Sequence, residues 1–127
     1  MYVTLVVHWA AHSVEQIEAI LGRADRVVAR PGFVSWQRST RHVDTTSFST
    51  HLAAALDALG PQALSWVADL QRGSLSDAYL AVYIPVEGGD VELEIDVPSM
   101  RRLTQLNLRL VADMFCFDGP DEQGDGH

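Results

Sequence analysis

The chain has 127 residues, of which 47% are hydrophobic and 20% charged, and its formal net charge is -8. This composition excludes collagen, coiled-coil rods and a wholly disordered chain, and the length suits one hydrophobic core rather than two. All nine basic residues are arginines. Because an acidic chain repels phosphate backbones and anionic lipid, we expect neither nucleic acid nor a membrane as partner.

Cysteine content and the opening residues bear on the compartment. The single cysteine, Cys116, cannot form an internal disulfide, which favours a reducing environment. The apolar start at residues 1–9 lacks the basic region and the small-residue cleavage site of a secretion signal. No apolar run approaches the roughly eighteen residues that span a bilayer. We therefore expect a cytoplasmic protein.

The N-terminal third predicts a strand, a helix and a hairpin. A continuous β-branched and apolar run is typical of a strand in a covered sheet, and a Ser-x-x-Gln capping box then begins an amphipathic helix. A Pro-Gly pair between two further apolar runs indicates a turn between antiparallel strands. In chain order, these elements are a strand over 2–9, a helix from Ser13 to Gly22, and hairpin strands over 27–30 and 33–40.

The rest of the chain predicts two helices, a second hairpin, and a closing helix and strand. Leu52, Leu56 and Leu59 mark one face of the first of these helices, and the Gly60-Pro61 pair ends it and opens the next. The later elements are a helix continuing to Gly73, strands over 75–85 and 91–97 around a turn at 87–90, a short helix from Pro98 to Leu106, and a strand over 108–117.

The element order β-α-β-β-α-α-β-β-α-β predicts an α+β fold. The simplest arrangement is a ferredoxin-like two-layer sandwich, in which a largely antiparallel sheet carries its helices on one face. We expect a single domain over residues 1–118. Residues 119–127 form an acidic tail without an apolar anchor, which predicts disorder.

Several of these segments carry a resemblance to a known family. They are the opening strand YVTLVVHW, the helix SVEQIEAILG, the hairpin strand FVSWQRS, the helical segment HLAAALDALGPQALSWVADL and the closing LTQLNLRLVADMF. In their order and pattern they resemble the bacterial domain-of-unknown-function 4279 family over about residues 2–117. The segment GRADRVVARPG departs from the lysine- and glycine-marked stretch expected there. The resemblance implies a small intracellular α+β domain with no assigned catalytic residues.

An arginine cluster is the strongest functional feature of the sequence. Five of the nine arginines fall in the link and hairpin around one tryptophan, and guanidinium groups beside an aromatic ring can hold a carboxylate, a phosphate or an acidic protein surface. The alternative is that they form ordinary surface ion pairs, which contribute little. The predicted ligand- or partner-binding residues are Arg26, Arg30, Trp36, Arg38, Arg41 and His42, with Arg23 completing the cluster.

Other chemistry-bearing residues are better explained structurally. His8, His12, His42 and His51 lack a metal-ligand spacing, so we expect surface or capping histidines and no metal site. The acids of the 91–97 run would alternate on one strand face, as on any solvated sheet. No serine lies in a nucleophile elbow, and no glycine-rich phosphate loop is present. We expect no catalytic residue and no cofactor.

Three hypotheses for function remain. The first is a noncatalytic protein-binding module of an immunity or regulatory type, suggested by the arginine cluster on an acidic chain. The second, from a different class, is a small-molecule sensor or enzyme with a pocket near Trp36, Arg38 and His42. The third, compatible with either, is a symmetric homodimer formed through an exposed edge of the sheet.

Overall fold

A computed structural model describes residues 1–10, 13–70, 76–86 and 93–116. Its strands and helices follow the predicted alternation along most of the chain. In chain order they are β1 (Tyr2–Ala10), α1 (Val14–Leu21), β2 (Arg26–Arg30), β3 (Phe33–Ser39), α2 (Phe48–Asp57), α3 (Pro61–Ala68), β4 (Asp77–Val86), α4 (Val97–Gln105) and β5 (Arg109–Cys116). None of the helices in these ranges is long and apolar enough to cross a membrane.

The five strands form one mixed sheet in the order β2-β3-β1-β4-β5. The pairs β2–β3, β3–β1 and β1–β4 are antiparallel, and β4–β5 is parallel. A parallel neighbour needs a crossover, and the chain between β4 and β5 contains α4. The predicted α+β class is confirmed, as an open sheet that fits a two-layer sandwich.

Local signals in the first half of the chain place its elements correctly. The Ser13 side chain accepts a hydrogen bond from the Gln16 backbone N–H, and the Gln16 side-chain oxygen accepts one from the Ser13 backbone N–H, so the predicted capping box is confirmed. The helix ends at Gly22, which has a φ of 90°. The turn between β2 and β3 has Gly32 at a φ of 87°, a backbone conformation that favours glycine.

The predicted strand over 91–97 is wrong where the structure describes it. Residues 93–96 are not in a strand, and Val97 is the first residue of α4. The Asp96 side chain accepts a hydrogen bond from the Ser99 backbone N–H at 2.9 Å and so caps that helix. An aspartate two residues before a proline is a helix start, and this local signal competes with the apolar-acidic alternation that predicts a strand.

Other predictions fall on residues outside the described ranges. The helix predicted to reach Gly73 ends at Ala68 as α3, and residues 71–75 are not described. The same holds for the turn at 87–90 and for the acidic tail at 119–127.

The helices pack on one face of the sheet. Val3, Leu5 and Val7 of β1 are fully buried and belong to one hydrophobic cluster with buried residues from all four helices. The helical members of that cluster are Ile17 and Leu21 of α1, Phe48, Leu52, Ala55 and Leu56 of α2, Ala63 and Val67 of α3, and Leu103 of α4. Because successive strand residues point to opposite faces, the even-numbered residues of β1 face away from this core.

A buried polar network ties the segment after β3 to β1. The Thr40 hydroxyl accepts a hydrogen bond from the Val3 N–H at 3.0 Å and lies 2.6 Å from His51 Nδ1. His51, expected at the surface, is instead fully buried, with Nε2 2.8 Å from the Thr45 carbonyl oxygen. Because a carbonyl only accepts, Nε2 donates to Thr45, and the Thr40 hydroxyl lies between His51 Nδ1 and the Val3 carbonyl oxygen, which is 3.3 Å away.

Replacing Thr40 by valine keeps the side-chain shape but removes the hydroxyl. The Val3 N–H and His51 Nδ1 then lose a partner while buried, so we expect Thr40→Val to lower the free energy of unfolding by about 1–3 kcal/mol. Urea denaturation followed by circular dichroism measures this. Thr50→Val, at an exposed position of α2, is the matched control. Equal stability of the two variants would contradict the assigned role of the network.

Candidate binding face

The sheet face opposite the helices is formed by alternate residues of all five strands. We call it the open face. Val6 and Ala81, at its centre, are buried at 4% and 5% exposure but do not belong to the helix-packed cluster. The strand registers place the following residues on the open face: Tyr2, Thr4, Val6, His8, Ala10, Arg26, Val28, Arg30, Phe33, Ser35, Gln37, Ser39, Asp77, Tyr79, Ala81, Tyr83, Arg109, Val111 and Asp113.

Aromatic rings cover the middle of the open face. All three tyrosines of the chain lie on it. Tyr2 and Tyr83, opposite each other on β1 and β4, stack with ring centroids 4.8 Å apart and an interplanar angle of 19°. His8 lies 5.1 Å from the Phe33 ring and meets Tyr79 edge-on at 6.0 Å. These contacts hold the rings in fixed positions and shield Val6 and Ala81 from water.

Two arginines lie over these tyrosines. The Arg41 guanidinium is 4.7 Å from the centroid of the Tyr2 ring and donates a hydrogen bond to the Tyr2 hydroxyl at 2.7 Å. The Arg109 guanidinium is 5.1 Å from the Tyr79 ring and forms an ion pair with Asp77. Cation–π contacts of this kind order a guanidinium while leaving its outer N–H groups available to a ligand.

A cavity of about 370 Å³ opens beside the stacked tyrosines. Its walls come from β1, β2, β3, β4 and the residues next to β2 and β3. The lining residues are Tyr2, Thr4, Asp25, Arg26, Gln37, Ser39, Arg41 and Tyr83. Asp25 Oδ2 accepts a hydrogen bond from the Ser39 N–H at 2.6 Å, and no described carboxylate forms an ion pair with Arg26 or Arg41. The cavity therefore presents two guanidinium groups and one carboxylate, Asp25, whose charge acts on Arg41 without an ion pair among the described residues.

Titratable groups of the open face have shifted pKa values. Burial, reinforced by Tyr2 and Asp113, raises the pKa of the Tyr83 phenol, which stays protonated at neutral pH. Burial lowers the pKa of His8, with Asp77 acting in the opposite direction and Arg109 in the same one. The hydrogen bond to Tyr2 raises the pKa of Arg41. At neutral pH the charge of the face therefore comes from its arginines and aspartates.

The predicted site residues fall on both sides of the sheet. Arg26 and Arg41 line the cavity, and Arg30 is exposed on the same face at the end of β2. Trp36 lies on the helix face with no exposed surface, and its Nε1 donates to the Gly22 carbonyl oxygen at 3.0 Å. A ring without exposed surface cannot contact a ligand, so Trp36 belongs to the core.

Arg38 and His42 are also separate from the cavity. Arg38 Nε and Nη2 donate to the Arg23 carbonyl oxygen at 3.1 and 2.6 Å, and the guanidinium lies 5.0 Å from the Trp36 ring. These bonds join β3 to the chain leaving α1, where carbonyl groups lack helical partners. His42 is exposed in the turn that follows β3.

The tyrosines and His8 were not among the predicted site residues. A period-two division of the first strand puts Tyr2, Thr4, Val6 and His8 on one face, and that signal is present in the sequence. It was outweighed by the apolar character of the whole run, which favoured a strand covered on both faces. The pairing of Tyr2 with Tyr83 depends on the β1–β4 register, which the sequence does not give.

A second cavity, of about 550 Å³, lies at the start of α2. Its polar residues include Thr45, Thr46, Ser47, Ser49, Glu94 and Asp96. Ser47 caps α2 and Asp96 caps α4, and the hydrogen bond from Ser99 lowers the pKa of Asp96. Among the described residues, no group of three or more histidine, cysteine or acidic side chains could hold a metal ion.

Comparisons with known proteins give no match. No family model, no curated protein and no solved structure is similar to this chain.

Substitutions at Arg38 and Arg26 test whether Arg38 stabilises the fold while Arg26 belongs to the cavity on the open face. We expect Arg38→Met to lower the free energy of unfolding by about 1–2 kcal/mol, because it removes charge-assisted bonds to backbone carbonyls. Arg26→Met, exposed on β2, should stay within about 0.5 kcal/mol of the parent. Urea denaturation of both variants measures the difference, and similar losses would argue against a structural role for Arg38.

The lowered pKa of His8 predicts a pH-dependent stability. The unfolded chain binds a proton more readily at this position, so stability is fully present above about pH 6.5 and falls as the pH drops towards the folded-state pKa. Denaturation midpoints at about pH 7.5 and 5.5 should therefore differ less for His8→Gln than for the parent protein. His42→Gln, exposed in a turn, is the control; an unchanged pH dependence in His8→Gln would refute the prediction.

Proposed function

We propose that this chain is a noncatalytic protein-binding module of an immunity or regulatory type, and that the open face contacts its partner. The observation that carries the proposal is the placement of all three tyrosines, two of them under arginines, on the sheet face opposite the described helices. Tyrosine and arginine are the residues most enriched among those that dominate binding energy at protein interfaces.

Pre-arranged side chains support a contact surface. Tyr2 and Tyr83 stack on each other, and Arg41 is fixed on Tyr2 by a hydrogen bond and a ring contact. A partner that binds these groups does not need to order them, so less side-chain entropy is lost on association. The raised pKa of Tyr83 and the lowered pKa of His8 keep both groups neutral at pH 7. Neutral aromatic groups lose less hydration on contact than charged ones.

The distribution of charge favours an acidic protein partner. Among the described residues in or beside this face, Arg26, Arg30, Arg41 and Arg109 are basic and Asp25, Asp77 and Asp113 are acidic. The whole chain, by contrast, has nine basic and seventeen acidic residues. The open face is thus locally basic on a chain of net charge -8. Complementary electrostatic potential on two surfaces accelerates their encounter and disfavours basic partners. This effect weakens as the salt concentration rises.

A small anionic ligand is the second candidate. The cavity between Arg26 and Arg41 has about 370 Å³, within the range of small-molecule sites. A carboxylate or phosphate compound bound there would raise the melting temperature in a thermal shift screen. A compound present at a hundred times its dissociation constant would add about 2.7 kcal/mol to the free energy of unfolding.

Three further proposals concern the fold topology, the family and the cellular compartment. We infer a ferredoxin-like unit from β1 to β4, supported by the antiparallel order β2-β3-β1-β4, with β5 added at one edge. We also propose membership of the bacterial domain-of-unknown-function 4279 family, supported by the strand, helix and hairpin order over the resembling segments. A cytoplasmic location is proposed from the single cysteine.

Affinity capture from a lysate of the source cells tests the protein-binding proposal. We expect the tagged parent protein to retain one stoichiometric acidic protein, and Arg41→Glu to reduce its recovery about tenfold or more because a like charge then faces the partner. Raising the salt concentration should release the partner from the parent protein. Mass spectrometry identifies and quantifies the retained protein.

Arg101→Glu makes the same charge change at an exposed position of α4, in the helix layer, and should retain the partner. Equal recovery by Arg41→Glu and Arg101→Glu would place the interface elsewhere. An empty capture, together with a thermal shift by an anionic compound, would favour the small-molecule function. Nuclease-sensitive recovery would indicate nucleic acid and overturn the proposal.

A further inference from the structure

The strand β5 forms one edge of the sheet. It pairs in parallel with β4 on one side, and in the described part of the chain no strand pairs with its other side. Residues 111–114, four in succession, are exposed on both faces of the strand. An exposed strand edge presents backbone N–H and C=O groups that can pair with another strand.

Exposed apolar side chains concentrate in the same part of the molecule. Among the described residues, the large hydrophobic side chains that are exposed are Val97 and Met100 of α4 and Val111 and Met114 of β5. Val111 is 39% exposed and Met114 60%. All four belong to the β4-α4-β5 unit, whereas the rest of the described chain buries its large apolar residues at least in part. Val111 and Met114 lie on β5 itself, so this edge strand carries an exposed apolar side chain on each of its faces.

The sequence of β5 is self-complementary in charge. Arg109, Val111 and Asp113 are spaced by two residues and therefore lie on the same face. If two copies of β5 pair antiparallel about an axis through Val111, Arg109 of each copy lies opposite Asp113 of the other. Opposite charges across such a pair stabilise it, and the two Val111 side chains meet at the axis.

The strand at the other edge has the reverse pattern. An antiparallel pair of two β2 strands about Val28 would place Arg26 of one copy opposite Arg30 of the other. Two like-charged pairs would then face each other and destabilise the association. The charge pattern thus selects β5 over β2 as the edge at which two copies join.

We propose that two copies of this chain associate through β5 in an antiparallel, two-fold symmetric pair. The two sheets then form one continuous sheet of ten strands. Arg109 keeps its contact with Asp77 of its own chain, because a guanidinium has five N–H donors and the Arg109 side chain is 58% exposed. The occupant of this edge is a second copy of the chain, and the two open faces lie on the same side of the joined sheet.

Light scattering on the eluate of a gel-filtration column tests the dimer. At tens of micromolar we expect the parent protein to have twice the mass of the 14.0 kDa chain. Arg109→Asp and Asp113→Arg each place like charges opposite each other twice per dimer, and each should raise the dissociation constant about tenfold or more. Circular dichroism confirms that both variants are folded.

Mixing the two variants distinguishes the loss of the dimer interface from damage to the fold. In a mixed pair, Arg109 of one chain faces Asp113 of the other, and the two substituted residues also face each other as opposite charges. We therefore expect the mixture to recover a dimer containing one copy of each variant, resolved by a mass tag on one of them. Arg30→Asp, the same change on the edge strand β2, should leave the parent dimer intact.

A monomeric parent protein at tens of micromolar would overturn the proposal. Loss of the dimer with Arg30→Asp but not with Arg109→Asp would also overturn it, by placing the contact at β2. Failure of the mixture to dimerise, with both variants folded, would reject the register through Val111. None of these outcomes depends on the open face binding a partner, so the two proposals fail independently.

Discussion

The antiparallel pairing of β1 with β3 on one side and β4 on the other determines the rest of the structure. Because β1 is central, the alternation of its side chains divides the sheet into two faces with different roles. Val3, Leu5 and Val7 hold the helices, while Tyr2 and His8 align the aromatic groups opposite. A shift of one residue in either pairing would exchange these faces along a whole strand. Register is therefore as important to the binding face as it is to the core.

The two faces of the sheet use arginine in different ways. On the helix face, Arg38 satisfies the Arg23 carbonyl and lies beside the buried Trp36 ring, so its charge serves the fold. On the open face, Arg41 contacts an aromatic ring as well, but it is exposed and lines a cavity. Residues close in sequence and equal in charge thus differ in role. Arg38 lies on the helix face of β3, whereas Arg41 lies in the turn after β3 and reaches Tyr2 on the open face.

Local sequence signals explain which elements of the fold could be predicted from the sequence. Capping at Ser13, the Pro31-Gly32 turn and the Gly60-Pro61 break each act within a few residues, and each element they define is present. The strand predicted over 91–97 is wrong over residues 93–97, the part that the structure describes, because a helix cap at Asp96 prevails over the periodic pattern. The cavity residues come from separate strands, so their assembly depends on long-range pairing that a local pattern does not contain.

The segment from Thr40 to Ser47 connects the surroundings of the two cavities. Arg41, near its start, lines the cavity on the open face, and Thr45 to Ser47, at its end, line the cavity beside α2. Buried bonds hold both ends of the segment: Thr40, just before Arg41, binds Val3 of β1, and His51 of α2 binds the Thr45 carbonyl oxygen. Release of those bonds would free both cavity walls at once. The walls of two cavities that share no lining residue therefore depend on the same buried network.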